Sequence, residues 1–491
     1  MIWPPRDEAI FYSLFHVMTT KKTKIVCTIG PATESQEMLE KLLSSGMNVM
    51  RLNFSHGDFA EHQKRIDNLK KAVKSTGIGA AVLQDLSGPK IRIGTFKTES
   101  VTLREGARFT ITTDDIVGDE SRVSINYPLF PKEVKKGHIV FLHDGKKKLE
   151  VVDVKGKDVV CKVLIGGDIK GRRGVNLPDS DLSVAALTEK DRKDLEFGIK
   201  NKVDFFALSF VRTGADIELL RSILTDKKSK AKIIAKIETP QALRNIDDII
   251  RLADGIMVAR GDLAIEIPAE TVPKAQKMLI EKANRAAKPV ITATQMLESM
   301  IQSPVATRAE VSDVANAILD GTDAVMLSEE TTLGKYPVEA VSVMSRVARE
   351  VESSLLSERF FATDEVHPSS PFPVGQSVTS SAVRTADRVG AQYLVSFTNS
   401  GQSARMLSRY KPVQPIYVLT PNEVTYRQTM LSWGTRPILV EKTTDFGVML
   451  DVVRAHFIKN KLAKKGERVV IATCQPFGKG LETNTLLVET L

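Results

Sequence analysis

The sequence predicts an α/β protein: a (β/α)8 TIM barrel with an inserted small β-barrel domain, followed by a C-terminal α/β domain. Three observations predict it. Short apolar, β-rich runs alternate with helix-patterned segments; one interval between the runs is far longer than the others; and the texture of the chain changes again after Ser353. A chain of 491 residues also exceeds what one core supports.

The runs come in order as "TKIVCTIG", "MNVMRLNFS", "GAAVLQDLS", "VDFFALSFV", "AKIIAKIE", "DGIMVARGD", "KPVITATQM" and "TDAVMLSEE". Most are continuously apolar, as parallel strands buried on both faces must be. Amphipathic stretches such as "TESQEMLEKLLSSG" and "PKAQKMLIEKANRAA" lie between them, and Thr33 with Gln36 predicts a capping box on the first. The polar residues ending successive runs recur about every 30 residues, the length of one βα unit. Asp85 to Ser209 breaks that rhythm. Residues 18–87 and 186–353 are therefore assigned to one barrel, and 88–185 to the insert. Within the insert, "RFTITTDD", "HIVFLHDG", "KLEVVDVKG" and "DVVCKVLIGG" alternate between Gly, Asp and Lys turns, a small antiparallel β-barrel pattern. Residues 354–375 read as a Pro- and Ser-rich linker. From 376 to 491 the strands "AQYLVSFT", "PIYVLTP", "RPILVE" and "RVVIATC" alternate with helices. Residues 1–17 read as an extension, with Met18 a candidate start, because no small-residue cleavage site follows their apolar patch.

The net charge of +9 is scattered among acids and aromatics are 6% of residues, so no stacking platform for nucleic acid exists; a modest positive field suits small anionic substrates. Three distant cysteines without a CxxC pair indicate a reducing, cytoplasmic setting and exclude a disulfide framework. No apolar run approaches the roughly 20 residues of a membrane span.

In "IIAKIETPQA", Lys236 and Glu238 are two residues apart on a strand and emerge on one face. Alone, that reads either as a structural ion pair or as a site. The other strand ends decide for a site. Arg51, Asn53 and Ser55 end the second run and Asp85 the third; Arg260, Gly261 and Asp262 end the sixth; Thr294 and Gln295 end the seventh, Ser328 and Glu329 the eighth. In such a barrel all these ends open on one mouth. Glu238 and Asp262 offer hard carboxylate oxygens, which select Mg²⁺ or Mn²⁺ over zinc. Arg51 and Lys236 add cations suited to a phosphoryl group in transfer. The combination indicates phosphoryl or enolate chemistry.

The blocks "KIVCTIGPAT", "MRLNFSHG", "AKIETPQA", "GIMVARGDLAIEIP", "ITATQMLESM" and "TRAEVSDVANAILDGTDAVMLSEET" resemble those of the pyruvate kinase family, in the family's order, over roughly residues 20–491. The resemblance implies a phosphotransferase that converts phosphoenolpyruvate and ADP to pyruvate and ATP in glycolysis. It implies that Arg51 holds the substrate phosphate, that Lys236 stabilises the phosphoryl group, and that Glu238 and Asp262 bind Mg²⁺. Gly261, Asp262 and Thr294 would receive the substrate carboxylate, and Thr294 with Ser328 would relay a proton. His56, Arg92 and Arg173 would contact nucleotide phosphates, with Arg173 standing where the family usually has lysine. The insert would close as a lid, and the assembly would be a homotetramer. Many members hold K⁺ with groups matching Asn53, Ser55, Asp85 and the carbonyl of Leu86. Here "DLSGPKIR" places Lys90 where those members have glutamate, so its ammonium is expected to replace K⁺, and K⁺ is not expected to be required. "TNSGQSARMLSRYKP" matches a region that often binds a phosphorylated effector. Ser400, Gly401, Ser403 and Arg405 read equally as a phosphate cradle or as a polar turn before a helix. A barrel lyase without a nucleotide lid and a silent binding relative are the competing functions; Arg92 and Arg173 with the insert argue against the first, and retained Lys236, Glu238 and Asp262 against the second.

Overall fold

The computed structural model describes residues 21–354, 373–477 and 482–491. The 1–17 extension and nearly all of the expected linker lie outside these.

Eight parallel strands close into a barrel. They are β1 (Lys24–Thr28), β2 (Val49–Asn53), β3 (Ala81–Asp85), β4 (Phe205–Leu208), β5 (Lys232–Ile237), β6 (Gly255–Ala259), β7 (Val290–Ala293) and β8 (Ala324–Leu327). Each falls in one of the eight expected runs. Alternation divides them between two cores. Ile25, Leu52 and Ile233 face the surrounding helices. Val26, Leu83, Ile234 and Met257 fill the interior, whose lower end is plugged by Tyr426, Met430 and Leu431 from the C-terminal region.

Local signals position the helices. Asp58 and Glu61 form a capping box at Phe59–Thr76, and Gly77 closes that helix in the left-handed conformation at φ 69°. The Thr33–Gln36 box does not form. Ser35 caps Gln36–Ser45 instead, and the Thr33 hydroxyl donates to the Thr331 carbonyl, tying the first loop to the last.

The insert folds around its own core, which includes Phe109, Phe130, Val140 and Val159. Its six-stranded sheet is antiparallel except where Arg108–Thr112 pairs in parallel with Arg122–Ser124. Arg92 bridges Gly174 beside one sheet edge and Ile93 bridges Ile125 beside the other, so adjacent residues draw the two edges together. The four expected runs each contain a strand; Ser100–Leu103, Arg122–Ser124, Gly167–Lys170 and Val175–Asn176 were not legible.

Beneath the barrel lies a five-stranded sheet in the order Thr435–Leu439, Ile416–Thr420, Tyr393–Phe397, Arg468–Thr473, Thr485–Thr490. Its first four strands are parallel; the last is an antiparallel edge strand the sequence did not announce.

Candidate active site

Arg51 and Lys236 meet at Asp85. The Arg51 Nε donates to Asp85 Oδ2 at 2.7 Å, and its Nη1 donates to the Thr28 hydroxyl at the end of β1, also at 2.7 Å. Lys236 Nζ lies 3.3 Å from Asp85 Oδ1, 2.9 Å from Glu238 Oε1, and donates to Ser209 Oγ at 2.7 Å. Four side chains from three strands thus alternate in sign across a few ångströms. The ion pair lies within the candidate site.

Burial disfavours charge on Lys236, but Asp85, Glu238 and Asp262 outweigh it and hold its pKa above the ordinary lysine value. Burial likewise acts against the Asp85 carboxylate, yet Lys236 and Arg51 bring its pKa down. Glu238 is fully buried. Burial pushes its pKa up to about 7 against the pull of Lys236, and the Asp262 charge adds to the rise. Its Oε2 accepts the Phe210 amide at 2.6 Å, whereas Oε1 has Lys236 for charge but no aligned donor. Among the described residues, none donates to the Asp262 carboxylate. These two acids can therefore offer oxygens to a hard cation, and no group of three or more His, Cys, Asp or Glu competes for one among the described residues.

On the opposite rim, the Gly261 amide donates to Thr294 Oγ1 at 2.7 Å, and that hydroxyl donates its proton to the Ala293 carbonyl at 2.6 Å. Ser328 enters through its backbone: its amide donates to Glu330 at 2.6 Å. Asn53 Oδ1 accepts the Ser55 amide, Ser209 Oγ donates to the Leu86 carbonyl, and Lys90 Nζ donates to Ser55 Oγ at 3.1 Å. Burial and the neighbouring Lys236 and Arg92 charges lower the Lys90 pKa, against Asp262 and Asp85.

Beside this centre, a cavity of about 280 Å³ opens between the barrel and the insert. Lys90, Arg92, Arg173 and Asp262 line it. His56 is exposed and does not. Arg92 donates to the Arg172 carbonyl, and Arg173 buries an Nε without a partner. In the C-terminal region, Arg405 turns back onto the Ser400 carbonyl and Ser403 pairs with Thr483, so these polar groups are partly occupied within the fold.

Comparison with known proteins agrees with this geometry. Models of the pyruvate kinase barrel domain and of its alpha/beta domain match residues 20–341 and 376–489. The chain belongs to the pyruvate kinase family. It is 45% identical over 481 residues to a pyruvate kinase of Geobacillus stearothermophilus, covering 96% of this chain and 80% of that one. It is 43% identical over 468 residues to one of Thermotoga maritima, covering 95% and 99%. A crystal structure of a pyruvate kinase from Cryptosporidium parvum superposes with a TM-score of 0.92 at 37% identity, over 99% of this chain and 98% of that one. The chain is thus a phosphotransferase that forms pyruvate and ATP from phosphoenolpyruvate and ADP.

Sequence reasoning missed Thr28, Ser209, Phe210 and Glu330. Thr28 and Ser209 were detectable as polar ends of β1 and β4. Phe210 contributes a backbone amide from a left-handed residue, φ 53°, which no residue-type pattern announces.

Proposed function

We propose that the charged ring at the barrel mouth is where the phosphoryl group passes from phosphoenolpyruvate to ADP, with Arg51 and Lys236 gripping it beside a magnesium site made by Glu238 and Asp262. One observation carries this reading: the Lys236 ammonium, its side chain 11% exposed, is held by Asp85 Oδ1, Glu238 Oε1 and Ser209 Oγ, with the Asp262 charge close by. Its charge is in position before the phosphoryl group leaves the enol oxygen, so little reorganisation opposes transfer. Arg51, braced by Asp85 and Thr28, directs its remaining N–H donors at the substrate phosphate.

The donor set fits magnesium or manganese, since Glu238 and Asp262 supply buried or unpartnered hard oxygens. Once bound, the ion supplies positive charge for substrate oxygens. The Gly261 and Asp262 amides and Thr294 receive the substrate carboxylate, the Gly261 amide exchanging its present Thr294 partner for it. Thr294, through water and Ser328, delivers a proton to C3 of the enolate. Arg92, Arg173 and His56 hold the ADP phosphates; the unpartnered Nε of Arg173 suits that task. The insert, 88–185, acts as a lid over the barrel of 18–87 and 186–353 and excludes water. Lys90, bonded to Ser55, takes the place of K⁺ beside Asn53, Asp85 and the Leu86 carbonyl. A cytoplasmic homotetramer, with a phosphorylated effector on the 376–491 domain, completes the proposal.

A coupled pyruvate assay with phosphoenolpyruvate and ADP, run with and without Mg²⁺, KCl and phosphorylated effectors, tests these assignments. Turnover should require the divalent ion, change less than twofold between KCl and tetramethylammonium chloride, and demand far more Mg²⁺ after Glu238→Gln. Strong KCl activation sinks the Lys90 assignment, and an unchanged Mg²⁺ requirement in the variant sinks the metal assignment.

A further inference from the structure

Thr294 and Gln295 leave β7 with φ of 70° and 54°, two consecutive non-glycine residues in the left-handed region. For a β-branched threonine that conformation is strained and persists only where its surroundings impose it. Its surroundings are dominated by one side chain. Arg260 Nη2 donates to the Thr294 carbonyl at 2.8 Å and to Met296 Sδ at 2.8 Å, while Nε reaches the Ala293 carbonyl at 3.3 Å. Its Nη1 is anchored at 2.6 Å on Asp313, in the helix Arg308–Leu319, with Gln276 Oε1 at 3.4 Å. The next residue along, Gly261, holds the Thr294 hydroxyl through its amide.

We infer that Arg260, anchored by Asp313, is a positioning residue that maintains the strained Thr294 turn and so aims the threonine hydroxyl at the reacting centre. This rests on the reading of Thr294 as carboxylate binder and proton relay. The two carbonyls are gripped by the guanidinium and the hydroxyl by the adjacent amide, so side-chain and backbone groups of neighbouring residues fix both ends of one strained unit. Carbonyls, sulfur and carboxylate are engaged together, which needs the planar guanidinium fork; the compact ammonium of lysine cannot span them. Releasing the fork lets the turn relax to ordinary dihedrals and displaces the hydroxyl, and a displacement near 1 Å costs about 100-fold in rate.

The test measures kcat, KM for phosphoenolpyruvate and deuterium uptake into the pyruvate methyl group in D₂O, each per folded protein, for the full chain and its variants. Arg260→Met should lose about 100-fold in kcat, with deuterium uptake falling in parallel and KM rising less. Arg260→Lys should recover only part of that loss, and Asp313→Asn should lie between Arg260→Lys and the parent. Unchanged kcat and uptake in folded Arg260→Met and Asp313→Asn would overturn the inference. Thr294→Val separates the two readings. If it keeps normal uptake while Arg260→Met does not, the relay role of Thr294 falls and the hold of Arg260 on the turn stands.

Discussion

The two ends of the barrel use the same materials in opposite ways. At the base, an aspartate precedes each of β4, β6 and β8, and each carboxylate is saturated. Asp204 accepts the Val82 amide at 2.9 Å and Arg427 at 2.8 Å. Asp254 accepts the Ile233 amide and pairs with Arg221 and Lys232. Asp323 accepts the Val290 and Trp433 amides and pairs with Lys411 at 3.0 Å. Every one ties the start of a neighbouring strand to a cation, and Arg427 and Lys411 come from the C-terminal region. At the mouth, Glu238 Oε1 has the Lys236 ammonium beside it but no aligned donor, no described residue donates to the Asp262 carboxylate, and left-handed residues follow β4 and β7. Saturated charge is adhesive and inert, whereas undersatisfied charge is held ready for a ligand. The base fastens the barrel to what lies beneath it; the mouth is where we place the reaction.

The same substitution made at each end breaks this comparison most directly. Lys411 is buried and Lys236 nearly so, with 11% of its side chain exposed, and both pair with aspartate. Lys236→Met should lower turnover by about 10³-fold. Its unfolding midpoint should move little: burial already raises Glu238 to about 7, so a proton can settle among the carboxylates left behind. Lys411→Met should do the reverse, costing about 3–5 kcal/mol because Asp323 stays buried without its cation, while turnover per folded molecule stays within twofold. Denaturant unfolding and steady-state kinetics on both variants decide it. Equal effects of the two substitutions on turnover would erase the distinction between the ends.

How much of this was legible follows from what each feature demands of residue type. Parallel strands buried on both faces require unbroken apolar runs, so all eight were readable. Polar groups at their C-terminal ends stand out against those runs, which exposed Arg51, Asp85, Lys236, Glu238, Asp262 and Thr294. Ser209 and Thr28 were visible as polar strand ends, but their residue type gives them no role until Lys236 and Arg51 are seen to donate to them. The turn at Thr294 was hidden for a stronger reason: residue type argues against its conformation, and long-range contacts from Arg260 supply what local preference withholds. In the insert, Ser100–Leu103, Arg122–Ser124, Gly167–Lys170 and Val175–Asn176 are too short for alternation alone to mark them, whereas Ile139–Leu142, equally short, is a continuous apolar run. The Thr33–Gln36 box failed because the helix begins at Gln36 with Ser35 as its N-cap, leaving Thr33 outside it with its hydroxyl donating to the Thr331 carbonyl.

The gentlest test of the comparison concerns a lysine at the base. Lys24 opens β1, is 6% exposed, and donates to the Thr435 carbonyl at 2.6 Å. Burial, with the Lys21 and Arg436 charges, lowers its pKa to about 7 against Glu352 and Asp323, whereas Lys236 at the mouth moves upward. The unfolded chain restores an ordinary lysine near pKa 10.4. Between about pH 7 and 10.4 the unfolded state therefore binds a proton that the folded state lacks, and stability rises with pH through that window. The slope from this group is at most about 1.4 kcal/mol per pH unit; below pH 7 both states are protonated and it adds none. Lys21, lowered to about 8 chiefly by burial, contributes with the same sign above that pH. Unfolding free energies measured at intervals from pH 6.5 to 9 should climb more steeply for the parent than for Lys24→Met. Parallel curves would mean that the base tolerates a buried, charged lysine as readily as the mouth does, and the contrast between the two ends would then rest on the aspartates alone.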